Sequence, residues 1–358
     1  MTAPRPALEV LSPGPLASIQ DAGRRGLRRI GVPWAGVLDV RLMRLANALA
    51  GVADDAPVIE CFDGGQQFAA RGATLRVAVA GDAELELERG GERRALPAWR
   101  SLRLHDGDTL RIRRLRSGRI AMVALEGLAV PAMFGSASTY ARAGLGGVDG
   151  RALRSGDRLA AAPTRGGPDA TLPLPPKPHA GPVRVVPGPQ ADHFTAAALQ
   201  TFLGSDYRVT PEADRMGVRL QGPPLAHAGS HDIVSDATVL GSIQVPGNGQ
   251  PIVLLADAQT AGGYPKIATV IGADLALVAG SRPGQALRFA AVDVAEGERL
   301  ARAAEAATRA LLAAIRPLAG DGIDERALYT ENLVSGTVHA LAPEWRPLAP
   351  PPSQGTVE

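Results

Sequence analysis

A chain of 358 residues with 45% hydrophobic and 21% charged residues has enough apolar material to build folded cores, which excludes a wholly disordered protein. Its net charge of +2 comes from dispersed arginines without a block of about five or more like charges, so a nucleic-acid-binding surface is not indicated. No stretch reaches about eighteen uninterrupted apolar residues, so no membrane-spanning helix is predicted. Cys61 is the single cysteine and cannot form an internal disulfide, and residues 1–15 lack an apolar signal core, so we expect a cytoplasmic location.

Strand signals dominate the predicted secondary structure. Aromatic residues make up only 4% of the chain, so its cores must be built from Val, Leu, Ile and Ala. Together with 42 glycines and 30 prolines, this composition favours strands joined by short turns. Apolar or alternating runs predict strands at residues 8–11, 75–81, 110–113, 183–186 and 252–256, the last of them buried on both faces. The predicted fold is mainly β with a few helices.

Three helices are predicted between these strands. The first begins at Asp39 as N-cap and ends at Gly51, with its apolar residues on one face. The second spans residues 192–203, and the third, over residues 296–315, is rich in alanine and arginine and amphipathic.

Prolines and glycines crowd into residues 160–182 and indicate a domain boundary, because proline lacks the N–H that a central strand needs. A short strand stopped by Pro-Gly-Pro opens the chain on each side of this boundary, which hints at duplicated domains. We therefore predict five segments. They are a first β domain at 1–165, a linker at 166–182, a second β domain at 183–292, a helical extension at 293–342 and a flexible tail at 343–358.

Several standard catalytic signatures are absent from the sequence. It contains no phosphate-binding P-loop, no His-Glu-x-x-His, no paired cysteines and no Gly-x-Ser-x-Gly elbow. These absences argue against a standard P-loop nucleotide site and the usual serine hydrolase, and no metal site is predicted.

The preferred active-site segment surrounds Lys266. This is one of two lysines in a chain with 36 arginines, and a lysine offers a compact point charge whose pKa is readily tuned. Polar, glycine-containing loops flank the buried strand 252–256, with Gln244 and Asn248 before it and Asp257 and Tyr264 after it. The pair Gly262-Gly263 allows backbone N–H groups to converge on an anion, and Lys266 could stabilise an oxyanion.

Three other loops contain candidate site residues, each with a structural alternative. The loop around Asp21 is typical of a basic surface turn, and Asp39 of a helix cap. Ser and Thr residues at 134–147 could bind a carboxylate or phosphate, or could satisfy their own backbone. Asp214 and Arg215 are adjacent in a strand and must point to opposite faces, so one of them looks inward or into a cleft.

Seven sequence stretches in consistent order resemble one known family. They are PGPLASIQDAGRRG, GVPWAGVLD, FGSASTYARAGLGG with GRALRSGD, ADRMGVRL, GSIQVPGNGQPIVLLAD and TAGGYPKIATVI. The family is the carboxyltransferase-like group that contains KipA, the C-type subunit of 5-oxoprolinase and the second carboxyltransferase segment of urea carboxylase, often labelled allophanate hydrolase subunit 2. The resemblance covers residues 8–289.

The resemblance implies two cyclophilin-like β-barrel domains and a small-molecule amide substrate. It also implies two partners from 5-oxoprolinase, a KipI-like protein of the B type and a further protein of the A type. Together these would couple ATP hydrolysis to opening of the 5-oxoproline lactam, with ATP held by this chain or by a partner. In this interpretation the catalytic residues are Lys266, Asp257, Arg215 and Asp21. The substrate-binding residues are Gln244, Asn248, Tyr264, Gly262, Gly263, Asp39 and Asp214.

Two further hypotheses stay open at this point. The chain could be the carboxyltransferase component of a biotin-dependent urea or amide carboxylase, with biotin carried on another chain because no biotinyl motif is present. Alternatively, it could be a non-catalytic, KipA-like binding partner that acts by holding a KipI-like protein.

Overall fold

The computed structural model describes residues 5–177, 181–318, 336–339 and 342–347. Within these ranges it contains 24 strands and four α-helices, which confirms the mainly β prediction. Among the described residues, those up to Pro317 form one compact unit that includes both predicted β domains, and those from Leu318 onward form a second.

Two facing sheets enclose the core of the first half. The six-stranded sheet has the order β11 (Arg158–Ala160), β1 (Ala7–Pro13), β4 (Gln66–Arg71), β9 (Thr109–Leu115), β6 (Ala83–Arg89) and β7 (Glu92–Pro97). The seven-stranded sheet has the order β2 (Leu16–Gln20), β3 (Val58–Phe62), β10 (Ile120–Leu125), β5 (Leu75–Ala80), β8 (Arg100–Leu104), β12 (Ala170–Thr171) and β22 (Arg316–Pro317).

Strand alternation gives the seven-stranded sheet two buried faces. In β10, Ala121 and Val123 belong to the core between the sheets, whereas Met122 and Ala124 belong to a second core on the opposite face. The helix α1 (Val40–Ala50) packs on that opposite face. It begins and ends as predicted, with Asp39 as N-cap and Gly51 in the left-handed conformation.

The second half is a closed seven-stranded barrel. Its strands run in the order β13 (Val183–Pro187), β20 (Lys266–Val270), β17 (Ser242–Gln244), β18 (Ile252–Leu254), β15 (Gly217–Gln221), β14 (Asp206–Val209) and β21 (Ala286–Ala291). β13 and β21 pair in parallel, and the other neighbours are antiparallel. The barrel interior and the α1 side of the seven-stranded sheet belong to one apolar core, so the two halves are packed together.

Three smaller elements lie beside the barrel. They are α2 (Ala196–Gly204), α3 (Leu275–Ala279) and a two-stranded sheet of β16 (Asp236–Ala237) and β19 (Ala261–Gly262). The helix α2 begins four residues later than predicted, because the Thr195 side chain accepts the Ala198 N–H as N-cap.

The predicted linker and C-terminal segments differ in detail from the structure. Residues 166–182 include β12, which pairs with β8, so the linker contributes a strand to the first half. Within the predicted helical extension 293–342, only α4 (Val294–Ala313) is helical among the described residues. β23 (Gly336–His339) pairs with β24 (Ala342–Pro347), which places strand residues at the start of the predicted flexible tail. The rest of that tail, 348–358, lies outside the described residues.

No helix in the part of the chain that the structure describes is long and apolar enough to cross a membrane.

Candidate functional site

The candidate site lies where a loop of the first half, residues 21–39, contacts the barrel. The Ala35 N–H donates to the Ala256 carbonyl at 3.0 Å, and Arg28 Nη2 donates to the Thr238 carbonyl at 2.6 Å. Gly36 has a φ of 84°, and a Cβ there would lie 2.9 Å from the Gly23 backbone. Glycine at position 36 therefore allows the loop to fold tightly on itself beside the barrel.

A buried arginine cluster, consisting of Gly36, Glu60, Arg215 and Asp257, joins the two halves. Arg215 donates from Nε and Nη2 to both carboxylate oxygens of Asp257, at 3.1 and 3.0 Å. Its Nη1 donates to Glu60, and its Nη2 also donates to the Gly36 carbonyl at 2.5 Å. Two of these partners lie in the first half and one in the barrel. The fork geometry of the guanidinium explains why arginine fits this position.

The charges of the arginine cluster are strongly coupled. Burial alone would lower the pKa of Arg215, but Glu60 and Asp257 hold it above its usual value. Burial raises the pKa of Glu60, while the charge of Arg215 and the Leu38 N–H at 2.7 Å oppose that rise. Arg215 therefore stays charged. Its bonds to these partners use four of the five guanidinium N–H groups, and two of them hold Asp257 in place.

A separate lysine cluster lies at the barrel end and contains Gln190, Asp236, Gln244, Gln259 and Lys266. Lys266 Nζ donates to Asp236 Oδ2 at 2.7 Å, and the Lys266 side chain is only 3% exposed. Gln190 Nε2 donates to the same oxygen at 3.1 Å. Donation from Lys266 and then from Gln190 lowers the pKa of Asp236 below its ordinary value. A buried ammonium is thus neutralised by an aspartate that is itself half-exposed.

Two glutamine amides extend the lysine cluster toward Gly262 and Gly263. Gln259 Nε2 donates to Gln244 Oε1 at 3.1 Å, and Gln244 Nε2 donates to the Tyr264 carbonyl at 3.4 Å. A Cβ at Gly262 would collide with the Gln244 amide, so a larger residue there would displace that amide. The structure therefore brings Gln244, Gly262 and Lys266 together.

Asp21 forms a third group, the aspartate cluster, with residues 136–138. Its Oδ1 accepts the hydroxyls of Ser136 and Ser138 at 2.6 and 2.5 Å, and its Oδ2 accepts the Ala137 N–H at 2.6 Å. The predicted Ser-rich loop thus binds a carboxylate of the same chain.

Arg24 is a buried arginine that the sequence analysis did not single out. It is 0% exposed, and its Nε donates to the Met133 carbonyl at 3.1 Å. Its Nη1 has no partner among the described residues. Burial lowers the pKa of Arg24, and the charges of Asp21 and Asp257 oppose that shift. The Arg24 Nη2 donates to the Ser136 carbonyl at 3.5 Å, so Arg24 packs against the aspartate cluster.

The remaining predicted site residues do not belong to any of the three clusters. Asn248 and Asp214 are exposed turn residues. Asn248 accepts the Gln250 N–H, and Asp214 accepts the N–H groups of Met216 and Gly217. Tyr264 is 41% exposed. Asp39 caps α1 and lines a groove of about 860 Å³ between α1 and α4, which none of the other predicted site residues lines. Gly263 has no side chain to contribute, and its carbonyl accepts the Ile233 N–H at 2.9 Å.

Sequence reasoning missed Glu60, Asp236, Gln190 and Gln259 as partners of the predicted residues. Glu60 and Arg215 are 155 positions apart, and Asp236 and Lys266 are 30 apart, so no local pattern connects them. A charged residue inside the apolar strand 58–62 was an available signal for Glu60. The sequence analysis placed Lys266 and Asp257 in one active-site segment, yet Lys266 pairs with Asp236 and Asp257 pairs with Arg215.

Comparison with known proteins adds an independent result. The family model described as "Carboxyltransferase domain, subdomain A and B" matches residues 30–291. The C-type subunit of 5-oxoprolinase from Escherichia coli (strain K12) is 33% identical over 285 residues, which cover 79% of this chain and 90% of that protein. Its counterpart from Haemophilus influenzae is 34% identical over 304 residues, covering 82% of this chain and 94% of that protein.

A solved structure shows a similar fold inside a larger protein. The crystal structure of the K. lactis urea amidolyase matches with a TM-score of 0.77 and 27% sequence identity. The match covers 86% of this chain and 20% of the urea amidolyase chain, so this chain corresponds to one part of the much longer urea amidolyase.

Proposed function

Because the chain belongs to the carboxyltransferase domain family and is homologous to the C-type subunit of 5-oxoprolinase, we propose that it is the corresponding subunit of an ATP-dependent hydrolase that opens 5-oxo-L-proline to glutamate. The observation that carries this proposal is the extent of the match. The chain aligns with nearly the whole length of two separate 5-oxoprolinase subunits, whereas it spans only 20% of the urea amidolyase structure.

The polar clusters are suited to a reaction that needs positioning and charge stabilisation. An unstrained lactam is a poor electrophile, and phosphorylation of its amide oxygen would turn that oxygen into a leaving group before water attacks. Lys266 and the glutamine amides offer donors for a carboxylate, phosphoryl or carbonyl oxygen, and Asp257 is fixed by a forked arginine. None of these residues needs to form a covalent intermediate.

The proposal includes partners and a cofactor. A KipI-like protein of the B type and a protein of the A type would complete the enzyme, and ATP would be bound by this chain or by a partner. The proposed compartment is the cytoplasm, where ATP is available.

The second candidate is a biotin-dependent urea or amide carboxyltransferase, favoured by the shared fold with urea amidolyase. Both chemistries polarise an amide or ureido carbonyl, so the same clusters could serve either. Biotin would have to arrive on another chain, because this sequence has no biotinyl motif.

The test is 5-oxoproline-dependent ATP hydrolysis by the complex reconstituted with the A-type and B-type partners. The proposal requires glutamate formation that is stimulated by ATP and independent of a biotin carrier. Turnover of urea that depends on a carboxylated carrier, with none of 5-oxoproline, would establish the second candidate instead.

Lys266→Ala is expected to reduce kcat/KM for 5-oxoproline at least tenfold, about 1.4 kcal/mol, because the variant removes a buried charge from the site. Lys177→Ala is the matched control, since Lys177 is the only other lysine and is exposed in the linker. Wild-type kinetics in a folded Lys266→Ala complex would show that Lys266 has no role in the reaction.

A further inference from the structure

The strap, defined as residues 229–237, crosses the barrel end above Lys266. All its residues are exposed except the half-buried Ile233, and Val234 is 92% exposed. Several contacts hold it to the barrel. They include the Ile233 N–H bond to the Gly263 carbonyl, the two-residue pairing of β16 with β19, the Lys266–Asp236 ion pair and the Gln190–Asp236 hydrogen bond. The strap buries little apolar surface, so the main cost of opening it is the loss of the Lys266–Asp236 ion pair.

The two residues that donate to the Asp236 carboxylate, Lys266 and Gln190, are held in place by the barrel, whereas Asp236 lies on the strap. Lys266 is fixed in β20, and Gln190 Oε1 accepts the Lys266 backbone N–H at 3.2 Å. That bond orients the Gln190 amide so that Nε2 points to Asp236. The Lys266 side chain is 3% exposed and that of Asp236 is 48% exposed. The donors therefore belong to the barrel, and the carboxylate is the removable part.

Opening the strap would leave the Lys266 ammonium buried without a counter-charge. Such a charge is strongly unfavourable unless another anion replaces the lost one. A carboxylate from solution, held by the same two donors, would satisfy this requirement with the same charge and geometry.

We propose that Lys266 and Gln190 form the binding site for the carboxylate of the substrate, and that Asp236 occupies this site until the substrate displaces it. The inference rests on the proposed function, because 5-oxoproline carries a carboxylate beside its lactam and urea carries none. Lys266 thereby selects the substrate class. The Gln259 amide is exposed on the same barrel end and is positioned to contact the lactam, and the buried Gln244 amide orients it by accepting one of its N–H groups.

The two lysines of the chain allow a direct test on the protein without its partners. Labelling with [13Cε]lysine gives two NMR signals, one from Lys266 and one from Lys177 as internal control. The two ligands are 5-oxoproline and its carboxamide, which keeps the lactam and removes the charge. We expect 5-oxoproline to shift the Lys266 signal alone, and the carboxamide to shift neither signal.

Asp236→Asn removes the internal competitor and should lower the half-saturating concentration of 5-oxoproline about fivefold, because the empty site is populated more often. Asp232→Asn is the matched control, since Asp232 is an exposed strap carboxylate whose ion pair is with His231. A Lys266 signal unmoved by saturating 5-oxoproline in the Asp236→Asn variant would overturn the proposal. So would an equal response to the carboxamide, or an unchanged half-saturating concentration.

Kinetics of the reconstituted complex separate this inference from the proposed function. Asp236→Asn should lower KM for 5-oxoproline with a smaller change in kcat, and Lys266→Met should raise KM. A wild-type complex that does not turn over 5-oxoproline, with an intact Lys266 response to it, defeats the proposed function alone. Normal turnover with KM unaffected by both substitutions defeats the carboxylate site alone.

Discussion

Arg215 connects the two halves through buried charges, so its loss should be costly. Arg215→Met leaves Glu60 and Asp257 buried without their counter-charge. We expect the free energy of unfolding to fall by about 3–5 kcal/mol. Arg215→Lys should recover only part of this, because an ammonium cannot donate a fork to Asp257 and reach Glu60 as well. Urea unfolding of the three proteins measures the differences.

Arg288→Met serves as the control for removing an arginine. The Arg288–Asp206 pair is exposed on both sides, so its loss should change the free energy of unfolding by less than about 1 kcal/mol. Equal effects of Arg215→Met and Arg288→Met would mean that the arginine cluster contributes no more than a surface ion pair.

At the scale of single residues, the sequence indicated which side chains form the polar clusters better than it indicated their hydrogen-bond and ion-pair partners. Lys266 and Gln244 could be chosen because they flank an apolar strand. Strand alternation predicted only that one of Asp214 and Arg215 points inward. Arg215 is buried and Asp214 is exposed, but both precede β15 (Gly217–Gln221), so the difference arises in a turn and the predicted strand was wrong there. Glu60 and Asp236 could not be assigned as partners of Arg215 and Lys266. An ion pair forms between residues brought together by tertiary packing, and no local pattern records that packing.

Asp39 has two separable roles, one observed as the N-cap of α1 and one predicted in substrate binding. Asp39→Ala should reduce the free energy of unfolding by about 1 kcal/mol, because the Leu42 N–H loses its acceptor. Asp39→Asn keeps that acceptor and should cost less. The measurement is urea unfolding of both variants beside KM for 5-oxoproline in the reconstituted complex.

The pair of variants distinguishes the two roles. If the charge of Asp39 contacts substrate, both variants raise KM, including the more stable Asp39→Asn. An unchanged KM in Asp39→Asn would restrict Asp39 to the helix cap.

Elements were predictable where their signals were local. The N-cap and left-handed glycine of α1 are both visible in sequence, and both ends were correct. The strand β12 was missed because two residues in a proline-rich segment become a strand only through pairing with β8. The start of α2 was displaced for a similar reason, since the competing residues 191–193 form a separate 3-10 turn.

At the scale of the whole molecule, each of the two Pro-Gly-Pro starts lies at the first strand of a β half. The association of these halves was not visible in the sequence. The outer face of the seven-stranded sheet, α1 and the barrel share one core, and the arginine cluster crosses the same boundary. This arrangement makes the boundary part of the fold rather than a flexible junction.

The two halves should therefore unfold in one cooperative transition. Cys61 reports on the first half, because its thiol is 0% exposed in the folded protein. Burial, and then the charge of Glu60, raises the pKa of this thiol. The thiol therefore reacts only after unfolding. The 13Cε signal of Lys266 reports on the barrel. We expect both probes to give the same urea midpoint.

Ser230→Cys in a Cys61→Ala background is the control for the thiol reagent, because position 230 is exposed on the strap and should react in the native state. Reaction of Cys61 at urea concentrations that leave the Lys266 signal native would mean that the first half opens independently. In Arg215→Met the two midpoints should move apart, because this substitution removes the ion pairs that join Glu60 in the first half to Asp257 in the barrel.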